Sequence, residues 1–287
     1  MPYTVEASFD KFYENINLDG DRREDANRRR DDVVKTLEKK FEIIEAFSTG
    51  SIPRFTALKA QADVDVMVTL HYTKHIKDKT PTQVLQKVRD ALSEWRTGAR
   101  KNGQAVTLYY STWPDVDIVP VSRFVNDDGQ VTHYNVPNSN DESWIKSRPK
   151  THSNAIETKA TECGYNFRRL IKMIKHWNKI HSDYLQSYHI EVLALKVMFG
   201  NCDDTPREAY QFFKAARPLL ENSLWHDVGY VDAYLTWSDR QEVLKRFDTA
   251  IEKSLDAWYK AHGSNNDQYG AIELWRQIFG SDFPSYG

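Results

Sequence analysis

The apolar positions change period several times along the chain, and each change marks an element. Over residues 21–47, Val33, Val34, Leu37, Phe41, Ile44 and Phe47 recur at spacings of one, three and four, which predicts a long amphipathic helix. The run Arg28-Arg29-Arg30-Asp31-Asp32 lies on it. Acids interleave the bases there, so it reads as a solvated, salt-paired face rather than a nucleic-acid patch. Thr49-Gly50-Ser51-Ile52-Pro53 then gathers Gly, Ser and Pro, a turn leading into a short helix. Residues 63–70 alternate with period two, as a strand does: Val64, Val66, Val68 and Leu70 share one face, and Asp63, Asp65, Met67 and Thr69 the other. A helix is predicted over 82–100, with β-rich runs at 105–110 and 116–119, the second ending at Pro120. Asn126-Asp127-Asp128-Gly129 marks a hairpin. Beyond about residue 140 the pattern is helical, with helices expected near 152–181, 184–200, 206–223, 238–262 and 268–279. The fold class is α+β: a mixed-sheet lobe with a long N-terminal helix over residues 1–145, a helical lobe over 146–287, and the active site expected in a cleft between them.

Composition narrows the function classes. The chain has 287 residues, with 39 Lys plus Arg against 41 Asp plus Glu, so no global basic charge is available to hold a polynucleotide. Hydrophobic residues make up 40% and charged residues 28%, as in soluble globular proteins. Two cysteines, Cys163 and Cys202, are too few for a disulfide framework and fit a reducing, cytoplasmic setting. The N-terminus shows no apolar leader, and the most apolar stretch, 192–199, is too short to span a bilayer.

Candidate chemistry centres on carboxylates. Asp63 and Asp65 would project from one strand face with Cα atoms roughly 6.6–7 Å apart. Like charges so placed repel unless a cation lies between them, and hard oxygen donors favour Mg²⁺ or Mn²⁺. Alone, the pair also fits the solvent face of an edge strand. Gly50-Ser51, 12 residues before Asp63, offers backbone N–H groups and a hydroxyl suited to phosphate. Asp115-Val116-Asp117 supplies a further acid on another β segment. Same-face geometry allows either Asp115 or Asp117. Three carboxylates can hold two divalent ions about 3.5–4 Å apart, as in-line phosphoryl transfer requires.

Together, Gly50-Ser51, Asp63-Val64-Asp65 and Val116-Asp117-Ile118-Val119-Pro120 resemble the nucleotidyltransferase core of the polymerase-β superfamily. Gly50-Ser51-Ile52-Pro53-Arg54-Phe55-Thr56 resembles the bacterial relatives of cyclic GMP–AMP synthase, the CD-NTases of CBASS anti-phage defence. The segments 171–178 and Ser187-Tyr188-His189 resemble the part of cyclic GMP–AMP synthase and oligoadenylate synthase that holds the donor nucleotide. Trp275-Arg276-Gln277-Ile278-Phe279-Gly280 resembles the family's C-terminal ending. The resemblance implies that Asp63, Asp65 and Asp117 bind two Mg²⁺ ions, with Mn²⁺ as substitute. Asp117 is favoured over Asp115 because it precedes the Ile-Val-Pro run. Gly50 and Ser51 would hold the β and γ phosphates, Lys175 would neutralise phosphate charge, Ser187 would contact the triphosphate or base, and Tyr188 would stack on a base. Read without the family, Lys175 is a solvated charge and Tyr188 a packing residue.

The resemblance implies NTP substrates, ATP or GTP first and pyrimidine NTPs next, joined into a cyclic di- or trinucleotide second messenger. It implies a monomer that needs no nucleic acid and no membrane. A CBASS regulatory or conjugating protein would act at Gly287; the alternative for residues 283–287 is an ordinary exposed, frayed tail. Rival readings are an RNA- or protein-directed nucleotidyltransferase, which would need a local basic track, and a catalytically silent nucleotide-binding module.

Overall fold

The computed structural model describes residues 4–18, 20–59 and 63–287; Met1, Pro2 and Tyr3, where a leader would begin, lie outside them. The chain divides into two compact units. One comprises Met1–Asn17, Thr56–Ala60 and Asn154–Gly287; the other comprises Leu18–Phe55 and Gln61–Ser153. This differs from a single cut after residue 145. The first helix belongs with the C-terminal helices because its apolar stripe, Val5, Phe9, Phe12 and Ile16, is buried in their core.

The sheet unit holds helices α2 (Gly20–Leu37) and α3 (Pro81–Trp95) and strands β1 (Ile43–Thr49), β2 (Val64–Leu70), β3 (Ala99–Asn102), β4 (Ala105–Leu108), β5 (Val116–Val125), β6 (Val131–Asn138) and β7 (Ser143–Ser147). The strand order is β1-β2-β5-β4-β3, with β6 pairing β5 and β7 pairing β6. Only β2 and β5 run parallel; the other pairs are antiparallel. A parallel pair needs a long crossover, and α3 lies within the connection between them. Thr80 and Gln83 close a capping box on α3, with Pro81 in its first turn, while Val84, Leu85, Val88 and Leu92 are buried.

Two expectations fail here for identifiable reasons. The helix read over 21–47 stops at Leu37, and Ile43–Thr49 is instead the edge strand β1. A short apolar run fits either period, and the hydrogen bonds offered by β2 decide it. Likewise β5 continues past Pro120. Its pairing with β4 ends at Ile118, opposite Val106, and its pairing with β6 begins at Ser122, opposite Asn135, so the missing N–H falls where the strand has no neighbour on that side. The short helix expected after Pro53 is a run of turns through Phe55.

The helical unit contains α1 (Val5–Ile16), α4 (Pro149–Cys163, its first turn in the sheet unit), α5 (Asn166–Ile180), α6 (Ser187–Val197), α7 (Thr205–Ala216), α8 (Trp237–His262) and α9 (Gln268–Phe279), with a two-strand ribbon of β8 (Trp225–His226) and β9 (Gly229–Tyr230). The helix expected over 152–181 is two helices. Gly164 at φ +79° makes the left-handed break between α4 and α5. The core absorbs much of the aromatic content: Phe9 meets Trp275 edge-on at 4.8 Å, and Trp177 meets Phe213 and Phe247 at 4.9 and 5.0 Å. Phe283 is buried against Phe9 and Phe12 rather than lying in an exposed tail. Among the described residues no helix is long and apolar enough to cross a membrane.

Candidate active site

The central carboxylates are placed by strand register. In the parallel β2–β5 pair, Asp65 stands directly opposite Asp117, and Val64 N–H donates to the Asp115 carbonyl at 3.0 Å. Side chains of registered partners share a face, and Asp63 immediately precedes β2, two residues before Asp65. Further along the same strands, Met67 and Val121 form an apolar patch with Tyr134 and Val136, flanked by Phe47 and Val119. Polar and apolar positions of one face are thus separated along the strands, with the acids at their N-terminal ends.

Asp115 and Asp117 have different partners. Asp115 Oδ1 accepts the Tyr110 N–H at 2.8 Å and fastens the turn before β5. Asp117 Oδ1 accepts from the Thr107 hydroxyl of β4, its partner in the ladder. A hydroxyl donor of that kind fixes a carboxylate rotamer while leaving the second oxygen for other work. Thr107 is therefore a fixed hydrogen-bond partner of Asp117 that the sequence analysis missed. It becomes visible only once β4 is laid beside β5.

Mutual repulsion is evident at Asp63. Partial desolvation, then the charges of Asp117 and Asp115, hold its carboxyl above the usual aspartate range. Among the described residues no set of three or more acidic, His or Cys side chains converges as a ready-made metal cage. The donor chemistry nevertheless fits a hard divalent cation. The acids are all oxygen donors, they lie on adjacent strands, and the repulsion that raises Asp63 is what a cation relieves.

Gly50 shows why the turn residue must be glycine. It follows β1, whose Thr49 is registered with Asp65, and it sits at φ +74°. A Cβ there would fall 1.7 Å from Asp65 Oδ2. The Gly50-Ser51 turn thus lies against the central carboxylate, as a phosphate-holding turn beside a metal-binding acid would.

The helical unit holds the other expected residues. Lys175 is not a solvated charge. It lies on α5 at 5% exposure, its Nζ donating to Glu191 Oε1 of α6 at 2.7 Å and to Thr56 Oγ1 at 3.2 Å. Thr56 in turn donates to Glu191 at 2.6 Å. In this arrangement the ammonium is balanced by Glu191 and holds Thr56, five residues after Ser51. Glu191 was legible in principle: it is an isolated acid in the apolar run Ile190 to Ala194, which implies a buried partner. Ser187 and Tyr188 open α6 and are exposed, with the Tyr188 ring 6.2 Å from His226. No side chain caps that helix start. Tyr234 pins it instead: its oxygen accepts the Gln186 N–H at 2.8 Å and lies 3.0 Å from His189 Nδ1. Burial drops the His189 imidazole to about 4, so it is neutral at pH 7.

Residues 3–160 match the model of the Second Messenger Oligonucleotide or Dinucleotide Synthetase domain, known as SMODS. The chain belongs to this family. A probable cyclic nucleotide synthase of Bacillus cereus (strain VD146) is 24% identical, covering 100% of this chain and 99% of that protein. The CBASS oligonucleotide cyclase CdnC of Escherichia coli (strain KTE188) is 23% identical over 93% of each. In fold, the chain is similar to the solved structure of E. coli MS115-1 CdnC with ATP: the TM-score is 0.75 at 20% identity, covering 97% of this chain and 98% of that one. As a SMODS member it is a nucleotidyltransferase that makes second-messenger oligonucleotides or dinucleotides from NTPs. The resemblance read from the sequence is thereby established for the family, the fold class and the enzyme type.

For a SMODS enzyme the Gly50 contact has a direct consequence. Gly50→Ala should displace the Asp65 carboxylate and cut turnover by about a hundredfold, the cost of roughly an ångström of misplacement. The left-handed backbone should cost a further ~1–2 kcal/mol of stability. Pyrophosphate release measured beside a urea denaturation curve separates the two effects. Wild-type turnover would show that Asp65 does not need its present position.

Proposed function

We propose that Asp63, Asp65 and Asp117 hold two divalent cations, Mg²⁺ or in its place Mn²⁺, and that the chain joins NTPs into a cyclic di- or trinucleotide of CBASS anti-phage signalling. The observation that carries this reading is the register of Asp65 against Asp117, with Gly50 packed on Asp65. Bound cations would neutralise the charge that develops on the transferring phosphoryl group. A ribose hydroxyl oxygen attacks the α-phosphorus of a second NTP, the bond to pyrophosphate breaks, and the hydroxyl proton leaves through Asp117. Thr107 keeps that carboxylate aimed. Gly50 and Ser51 hold the β and γ phosphates by backbone N–H and hydroxyl donors.

In the helical unit, Ser187 and the uncapped start of α6 suit an anion, since the first N–H groups of a helix lack intrahelical acceptors. Tyr188 offers an exposed face to a base, worth about 1–3 kcal/mol and tolerant of base identity. Lys175 acts through Thr56 and Glu191, positioning the chain just after the Gly-Ser turn.

Incubation of the purified chain with four labelled NTPs and Mg²⁺ or Mn²⁺ tests the reading, with products mapped by nuclease digestion and mass spectrometry. A cyclic product, formed without RNA or protein acceptor and lost in EDTA, is expected. Label transferred only to added RNA or protein would instead favour an acceptor-directed nucleotidyltransferase.

A further inference from the structure

The helical unit contains a cavity that the nucleotidyl-transfer reading leaves unused. It has a volume of about 190 Å³ and lies among the C-terminal end of α5, one stripe of α8 and the end of α9. Trp177 and Ile278 supply apolar wall, and the α8 residues at 242, 245, 246, 249, 250 and 253 line one side. That spacing is a single helix face.

The charges on this face do not cancel. Glu242 is the one acid in the lining, and its Oε1 is taken by Lys245 Nζ at 2.7 Å. Arg246 reaches the Ser182 hydroxyl at 3.3 Å, lies over the Tyr184 ring, and shares the field of Glu242 with Lys245. Its Nε–H is buried and has no acceptor among the described residues. A buried guanidinium donor without an acceptor costs free energy until something supplies one. Lys253 makes no ion pair among the described residues. His181 donates Nε2–H to the Ile278 carbonyl at 2.9 Å, which fixes its tautomer. Burial pushes its imidazole below the usual histidine range; the Ile278 carbonyl opposes this, and the charges of Arg246 and Lys253 reinforce it. The histidine therefore brings no positive charge of its own, and the cavity's excess rests on Arg246 and Lys253.

We infer that this cavity is a binding site for a small phosphate-bearing dianion, held by Arg246 and Lys253 against the Trp177 wall. Lys245, Arg246 and Lys253 against Glu242 leave an excess of two positive charges in the lining, which matches the two negative charges of the ligand. The volume lies below the roughly 300–1,000 Å³ of sites that enclose drug-sized ligands. Inorganic phosphate, pyrophosphate and a phosphate monoester share the required chemistry. The site is independent of the carboxylate chemistry in the sheet unit.

Calorimetric titration of the full chain in EDTA and 150 mM NaCl with inorganic phosphate, pyrophosphate and AMP, each in turn, tests the inference. EDTA keeps metal-dependent binding at Asp63, Asp65 and Asp117 out of the measurement. One-to-one binding of at least one probe is expected, weakened about tenfold or more in Arg246→Gln and separately in Lys253→Gln. Lys11→Gln removes the same charge from an exposed pair on α1 and should leave the affinity unchanged. The probe that binds most tightly identifies the source of the phosphate. No saturable binding of any probe overturns the site, as does affinity unchanged in both variants or lost equally in Lys11→Gln. Thermal melts of each variant verify folding, and Lys253→Gln, which breaks no hydrogen bond, serves if Arg246→Gln does not fold.

Discussion

Asp65→Asn should lower NTP turnover by about a thousandfold or more while the protein still folds. On the proposed role of Asp65, the change removes a ligand of the cations that neutralise the transferring phosphoryl group, and positioning and electrostatics carry nearly all of the catalysis. Asp65 is opposite Asp117 in the ladder and beside Gly50, so an amide there weakens cation binding without disturbing strand pairing. Asp63→Asn should be equally inactive, and it carries a second signature. The Asp63 carboxyl is held above its ordinary range, so the fold favours its protonated form. Stability should therefore decline as pH rises from the unfolded-state value through the raised folded-state value. Asn at this position should flatten that part of the profile, and added Mg²⁺ should counter the decline in wild type alone. Thermal melts against pH, with and without MgCl₂, read this directly. Asp63→Asn protein with wild-type turnover would remove Asp63 from the reaction.

The second large effect concerns stability. Glu191→Ala would leave the Lys175 ammonium buried beside Thr56 without its counter-charge. Breaking one side of a buried pair costs about 3–5 kcal/mol, a large part of the 5–15 kcal/mol by which most domains are stable. The double change Lys175→Met with Glu191→Leu should recover most of that loss, since apolar replacement of both partners is close to neutral. Urea midpoints of the two variants decide the matter: equal midpoints for Glu191→Ala and wild type would show that the pair is not buried. Activity should not recover with stability in the double variant, because Thr56 would lose both of its side-chain partners.

Much of the architecture was legible in the chain because period and punctuation are local. The alternation over 63–70 gave β2, and Asn126-Asp127-Asp128-Gly129 gave the β5–β6 turn. Errors fell where a local pattern fits two structures. Ile43, Ile44 and Phe47 suit a helix or an edge strand, and the choice belonged to β2. Pro120 ends an isolated strand but is tolerated where β5 has one neighbour. Gly164 divided a helical run that apolar periodicity alone carries through.

The sequence by itself determined which chemistry was available: the Asp63-x-Asp65 pair, a further acid at 115 or 117, and a Gly-Ser turn upstream. These are facts of residue type and short spacing, and they sufficed to indicate the family. Only the tertiary structure decided which groups these residues meet. Parallel register put Asp117 against Asp65 and gave Asp115 to the Tyr110 turn. Burial turned Lys175 from a solvated charge into half of an ion pair with Glu191. The packing of α8 beside α5 and α9 gathered Lys245, Arg246 and Lys253 around a cavity whose lining includes one acid, Glu242. The physical reason is common to all three. A charged side chain's role depends on its neighbours and its access to water, and contacts distant in sequence set both.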